Sequence, residues 1–325
     1  MAYKQTKFAK SLLDKASKLN KTIVLPEAEY SPRVLQAGLY CAKHGIANVV
    51  LVAKSDKLAK YDNGTTIKVV NITSSDLSEM LASALYVKRK EKGVTLEDAT
   101  KLVQNELYFG TMMVELGLVD GMVAGAENTT QDVFRPALQI IKTKPGQSIA
   151  SSVIFLTKGS DTYAFADCSL NINPDAEQLA CITKQTALSV KKYTDFDPIV
   201  ALLSYSTNGS GKGESVDKVR DCVQLLRSEK CDFAYDGEMQ VDCALDEFTR
   251  KLKYKDCKLK ANANTFVFPN LDSSNIGYKL LTKIAGYTAV GPLSQGLNKP
   301  VNDISRGATT QEIVLIIAST AIEGE

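Results

Sequence analysis

The sequence predicts an α/β protein of two domains with mostly parallel sheets. Short β-rich runs alternate with amphipathic stretches from one end of the chain to the other, the pattern of stacked βαβ units. The chain has 325 residues, enough for roughly two domains of about 150 residues with a core each. A composition of 44% hydrophobic and 23% charged residues is that of a globular chain, not a disordered one.

The elements follow in order. Residues 1–21 place apolar side chains at helical spacing among lysines, without the unbroken apolar run of a signal peptide or membrane span, so a soluble, unprocessed protein is expected. Thr22–Glu27 (TIVLPE) reads as the first strand. A helix follows, with Ser31 as N-cap, Pro32 at its first position and Gly45 as stop. ANVVLVA, TIKVVNI, DGMVAGA, SSVIFLT, YAFADCSL, IVALLSYS, NTFVFP and YTAVGP read as further strands, most of them separated by helical periodicity. Pro145 and Gly146 break the helical pattern before them, and a second seam lies near Gln295–Asp303. The last helix, within TTQEIVLIIASTAI, carries a broad apolar stripe and must dock on a lobe. The expected domains are therefore 1–146 with 297–325, and 147–296.

A net charge of +2 leaves no basic field for nucleic acid or an anionic membrane, so neither partner is expected. His44, the single histidine, follows Lys43 and precedes Gly45, which suits a cation at a helix C-terminus better than a catalytic base. Seven cysteines without a CxxC suggest neither a disulfide framework nor a zinc knuckle, and fit a reducing cytoplasm.

Three strand-to-helix junctions could handle an anion. In STNGSGKGES, Ser206, Thr207, Gly209 and Ser210 form a glycine-rich turn at a helix N-terminus, where outward N–H groups suit a phosphate and Lys212 adds a charge. Gly213 follows Lys212 where a Walker A loop needs Ser or Thr, and the spacing is not the dinucleotide fingerprint. A mobile surface turn is the alternative. In GLNKPVNDISRGATTQE, Lys299, Asn302, Ser305 and Arg306 gather before the last helix, with Arg306 offering a bidentate fork and Ser305 a hydroxyl; a solvated loop is the alternative. In GAENTTQDVFRPALQ, Thr129 and Thr130 are helix caps or phosphate donors, with Arg135 about one and a half turns on. Ligands of α/β sheets bind at the carboxyl ends of strands, so the three junctions point to one pocket. Tyr278 completes the substrate-binding set.

The strings DGMVAGAENTTQDVFRPALQIIKTKPG, FADCSLNINPDAEQLA, LSYSTNGSGKGESVDKVR and AVGPLSQGLNKPVNDISRG resemble the phosphate acetyl/butyryl transferase family, in the same order and across essentially the whole chain. The resemblance implies interconversion of acetyl-CoA plus phosphate with acetyl phosphate plus CoA. It also implies two three-layer domains resembling isocitrate and isopropylmalate dehydrogenases with the active-site cleft between them, and a homodimer. Ser305 and Arg306 match the residues that hold acetyl phosphate, Arg135 matches a site arginine, and Arg89 one linked to CoA affinity, although its basic run also reads as a solvated face. Thr129 stands where relatives often carry Ser in GAxHST, and Asn128 replaces the histidine. Glu312 aligns with the family's aspartate base, yet T-x-x-E from Thr309 also spells a capping box.

Acyl transfer then asks the protein to set the acetyl carbonyl carbon beside the CoA sulfur and to neutralise the departing phosphate. Arg306 and the N–H groups near Thr129 suit the phosphate, Ser305 the developing oxyanion or a phosphoryl oxygen, and Glu312 the thiol. Full proton transfer from a thiol to an ordinary carboxylate is uphill by about 6 kcal/mol, so partial transfer or a desolvated Glu312 is required. The scheme calls for no metal or cofactor, with CoA as substrate. Cys168 could form an acyl-enzyme but has no histidine to activate it, and reads as a buried small side chain. The alternatives are transfer of butyryl or another acyl group, a non-catalytic CoA or acetyl-phosphate sensor, and an NAD-dependent dehydrogenase of related fold.

Overall fold

A computed structural model describes residues 6–324. Its strands are β1 (Thr22–Leu25), β2 (Asn48–Ala53), β3 (Ile67–Asn71), β4 (Gly121–Ala124), β5 (Ser151–Lys158), β6 (Asp161–Ala166), β7 (Ile199–Leu203), β8 (Ala234–Met239), β9 (Thr265–Val267), β10 (Thr288–Gln295) and β11 (Val301–Asp303). The contacts divide the chain into two compact units. Ala9–Pro145 and the segment from Leu297 onwards form the first, and Gly146–Gly296 with Thr6–Phe8 the second.

The first unit holds a five-stranded sheet in the order β11-β4-β1-β2-β3, parallel throughout. A sheet covered on both faces needs strands that are apolar on both faces, and TIVL, NVVLVA and GMVA supply them. The last helix, Thr310–Glu323, buries an unbroken run from Ile313 to Ile322 and packs on this sheet, so the chain returns to its first domain to finish it. The second unit holds a six-stranded sheet, β10-β5-β6-β9-β7-β8, with β10, β5 and β6 antiparallel and the rest parallel. Both faces are covered: Phe165, Phe266 and Phe268 pack on one, Val200, Leu202 and Val223 on the other.

Each strand read from the sequence is present, and two more are added. β8 (AYDGEM) and β11 (VND) carry acids in place of an apolar run, so no periodicity marks them. Each is seated by pairing with an apolar neighbour, β7 and β4 respectively. Among the described residues no helix is long and apolar enough to cross a membrane.

Candidate active site

The site in the first unit follows from the pairing of β4 with β11. Parallel register sets Asn302 beside Val123 and Asp303 beside Ala124, so the loops leaving both carboxyl ends run side by side. One enters the helix Thr130–Pro136 and the other the helix Thr310–Glu323.

Two side chains that follow β1 in the chain, Glu27 and Arg33 of the helix Pro32–Lys43, fasten these loops. Glu27, fully buried just beyond β1, accepts from the N–H groups of Gly125 (2.9 Å), Ala126 (2.7 Å), Glu127 (3.2 Å) and Asn128 (3.0 Å), and from the Asn128 amide (2.7 Å). Arg33 ties one loop to the other. Its Nη1 donates to the carbonyls of Arg306 (2.9 Å) and Ala308 (2.7 Å), and its Nη2 to the Ala126 carbonyl (3.0 Å) and Glu127 Oε1 (3.0 Å). Hydrogen bonds from Arg33 and Ser31 hold the Glu127 carboxyl below the usual range. A third link joins the loops directly, from the Thr130 hydroxyl to Asp303 Oδ2 at 2.6 Å. Thr129, Thr130, Ser305 and Arg306 are thereby gathered at one sheet edge, with the Ser305 and Arg306 side chains exposed.

Of the N–H groups near Thr129, expected to suit a phosphate, those of Gly125, Ala126, Glu127 and Asn128 are taken by Glu27. Thr129 is the N-cap of its helix, accepting from Asp132 N–H (3.2 Å) and donating to Asp132 Oδ2 (2.6 Å). Arg135 is exposed, with Asp132 at 3.8 Å. Burial raises the phenol of Tyr108, and the charges of Arg135 and Arg89 both oppose that rise. Glu312 Oε2 receives the N–H (2.7 Å) and hydroxyl (2.9 Å) of Thr309, completing a capping box, and the side chain is half-buried rather than desolvated.

Two expectations are corrected here. Side chains alternate across a strand, so when Asp303 faces Thr130 its neighbour Asn302 faces the other way. Asn302 is fully buried and donates to Thr320 (2.9 Å) and Glu323 (3.2 Å) of the last helix. The Lys299 ammonium caps the helix Glu106–Glu115, donating to the carbonyls of Val114 (3.1 Å) and Glu115 (2.7 Å), where the helix dipole is negative.

In the second unit the glycine-rich turn does cradle an anion, but the anion is the protein's own. Glu238, on β8, takes the Ser206 hydroxyl (2.8 Å) and the Gly209 N–H (2.9 Å) on Oε1, with Arg220 Nε on Oε2 at 3.0 Å. The Thr207 N–H donates to Ser210 Oγ (2.9 Å), the Asn208 N–H to the Glu238 carbonyl (3.2 Å) and the Gly211 N–H to Ser206 Oγ (2.9 Å), while Thr207 Oγ1 accepts from Gln240 N–H (2.9 Å). Ser206, Thr207, Gly209 and Ser210 are therefore committed to the turn itself, a correction to the reading of its N–H groups as a phosphate nest. Burial raises the Glu238 carboxyl, and Gly209, Arg220 and Ser206 together outweigh it and hold the group below the usual range. Lys212 stays exposed, its carbonyl held by the Tyr205 hydroxyl at 2.7 Å. Tyr278 packs half-buried on the phenylalanine core, and burial raises its phenol.

Residues 7–321 match the family model described as Phosphate acetyl/butaryl transferase. The chain belongs to this family. A phosphate acetyltransferase of Thermoanaerobacterium thermosaccharolyticum is 40% identical over 324 residues, covering 97% of this chain and 98% of the relative. A phosphotransacetylase structure from Streptococcus pyogenes superposes with a TM-score of 0.91 at 40% identity, covering 100% of this chain and 99% of that one. The fold reaches further, to a 4-hydroxythreonine-4-phosphate dehydrogenase of Klebsiella pneumoniae at 12% identity and a TM-score of 0.52, over 94% of this chain and 99% of that one.

For this family member the residues missed in the sequence are Glu27, Arg33 and Asp303. Glu27 ends the predicted first strand and Arg33 follows Pro32 in the predicted helix, and an acid and a base bracketing an S-P helix start were the available signal. Asp303 lay inside the quoted NDISRG string. Cys168 is buried and its thiol is raised well above the usual range by that burial, with the Asp167 charge adding to it, which disfavours a thiolate nucleophile. His44 caps the helix Pro32–Lys43 with its ring 4.1 Å from that of Tyr40.

Proposed function

We propose that this site is a phosphate acetyltransferase centre, exchanging acetyl-CoA plus phosphate with acetyl phosphate plus CoA by direct attack in a ternary complex. The observation that carries the reading is the Arg33 and Asp303–Thr130 fastening. It presents the Ser305, Arg306 and Thr130 side chains together at the carboxyl ends of adjacent parallel strands.

Acetyl phosphate is already activated, so the protein's task is placement and charge. Arg306 offers a fork to the phosphoryl oxygens, and Ser305 donates to the oxyanion that forms as the thiol sulfur attacks the carbonyl carbon. The phosphate leaves as the tetrahedral intermediate collapses to the thioester. Arg135 and Arg89 supply positive charge for the phosphates of CoA, and Lys212 and Tyr278 stay in the substrate-binding set. Glu312 uses Oε2 for the cap and leaves Oε1 to polarise the thiol, with partial proton transfer in the transition state. No metal or cofactor enters the scheme.

The reading includes a cytoplasmic enzyme and a homodimer. Ile276, Leu280 and Ile284 recur every four residues as an exposed apolar row, the kind of surface two copies would bury.

The deciding experiment mixes purified protein, acetyl phosphate and CoA without added metal and follows thioester absorbance. Turnover is expected; CoA binding without turnover would replace the enzyme with a sensor, and faster turnover of butyryl phosphate would reassign the acyl group. The roles of Glu312 are separable because Gln also completes a capping box. Glu312→Gln should keep the melting temperature within about 2 °C while lowering kcat about 10²-fold, the size of a general-base contribution. Unchanged kcat would leave Glu312 as a cap alone.

A further inference from the structure

Two acids flank Gly125. Its N–H donates to Glu27 Oε2 at 2.9 Å. On its other side a β-carbon would lie 2.0 Å from Asp303 Oδ1, so only glycine, here at φ +108°, lets that oxygen rest against the backbone. The two carboxyls are treated very differently. Glu27 is met by five N–H donors. Asp303, 5% exposed, receives the Thr130 hydroxyl on Oδ2, and its Oδ1 is buried without a hydrogen-bond partner. Burying a carboxylate with one oxygen unmatched is costly, and such a group takes up a proton instead. The charged groups that act on Asp303 are Glu27, from the turn after β1, which opposes its ionisation, and Arg306, on its own loop, which favours it. Arg33 and Glu127, on the neighbouring elements, pair with each other at 3.0 Å. Burial dominates, and the Asp303 carboxyl is pushed up to about 7.

We propose that a proton held by Asp303 sets the direction of the Thr130 hydroxyl, and so decides whether Thr130 can donate to a phosphoryl oxygen. With Asp303 ionised, the 2.6 Å bond must carry Thr130's own proton, and the threonine oxygen presents only lone pairs to a ligand. A phosphoryl dianion is repelled by lone pairs. With Asp303 protonated on Oδ2, its proton fills the same bond, and the Thr130 O–H is released to donate outward. Binding of the dianion is then linked to uptake of one proton from solvent by Asp303, and Asp303 is a positioning residue acting through Thr130. This rests on the phosphoryl-binding reading of the site.

The test measures KM for acetyl phosphate, dianionic throughout, from about pH 6 to about pH 9. Below the Asp303 ionisation KM should be flat, and above it KM should rise by up to about tenfold per pH unit, the slope of one linked proton. Asp303→Asn puts an amide N–H where the acid proton was, so its KM should stay low and lose the slope. Should that variant fail to fold, Thr130→Val serves, with a KM raised at every pH and equally without slope. A flat wild-type profile, or the wild-type slope persisting in either variant, overturns the switch. Infrared difference spectra of the wild type give a readout independent of turnover. A protonated-carboxyl carbonyl band should titrate near neutrality, move to higher pH with inorganic phosphate and vanish in Asp303→Asn. Its absence from the wild type overturns the proposal even if turnover is normal, whereas absent turnover with the band present strikes the transferase reading instead.

Discussion

Arg306→Ala is expected to lower kcat/KM for acetyl phosphate by about 10² to 10³, with the melting temperature nearly unchanged. The magnitude is that of removing one preorganised charge-stabilising donor, about 2.7–4 kcal/mol. The fold should survive because the loop is fastened through the Arg306 carbonyl, which Arg33 holds at 2.9 Å, and through the Thr130–Asp303 bond, while the Arg306 side chain is exposed. Arg306→Lys should recover only part of the loss, since an ammonium restores the charge but not the two-pronged geometry. Wild-type kinetics in the alanine variant, measured by thioester formation, would remove Arg306 from the chemistry and with it the proposed anion site.

Glu27→Ala should be the most damaging single change to the fold of the first unit. It strips the acceptors from five N–H donors, and two of these, at Gly125 and Ala126, lie on buried residues. Each orphaned buried donor costs about 1–3 kcal/mol. The total expected loss is about 3–5 kcal/mol, or roughly 6–20 °C in melting temperature for a unit of this size. Activity should fall further than stability explains, because the freed 125–128 turn carries Thr129 and Thr130, and a displacement of about 1 Å at a reacting group costs about 100-fold. Circular dichroism melts read the first effect and kcat at a temperature below both transitions reads the second. A variant melting with the wild type would show that water or relaxation satisfies the turn and that Glu27 does not organise it.

Both expectations concern residues whose importance the sequence showed unequally. Arg306 was visible as a cation in an irregular segment before a helix. Glu27 was visible only as the end of a strand, because what makes it matter is a turn about 100 residues away in the chain. The glycine-rich turn teaches the same lesson in reverse. Its composition and its place before a helix marked it as an anion cradle, which it is, but Glu238 supplies the anion from a strand that hydrophobic patterning could not detect. β11 escaped for the same reason, and it bears Asp303. β8 and β11 went unseen because acids within them break the apolar pattern by which a strand is recognised.

The sequence by itself determined the α/β class, the positions of the apolar strands and the family to which the chain belongs. All of these depend on residues near one another in the chain, or on long strings read in register. Only the tertiary structure decided which polar side chains are spent on holding the loops and which remain for a ligand. Asn302 and Asp303 are neighbours in sequence, yet one bonds the last helix and the other the Thr130 hydroxyl. The pleat of a strand sends adjacent side chains to opposite faces, and what each face meets is set by elements that arrive from elsewhere in the chain.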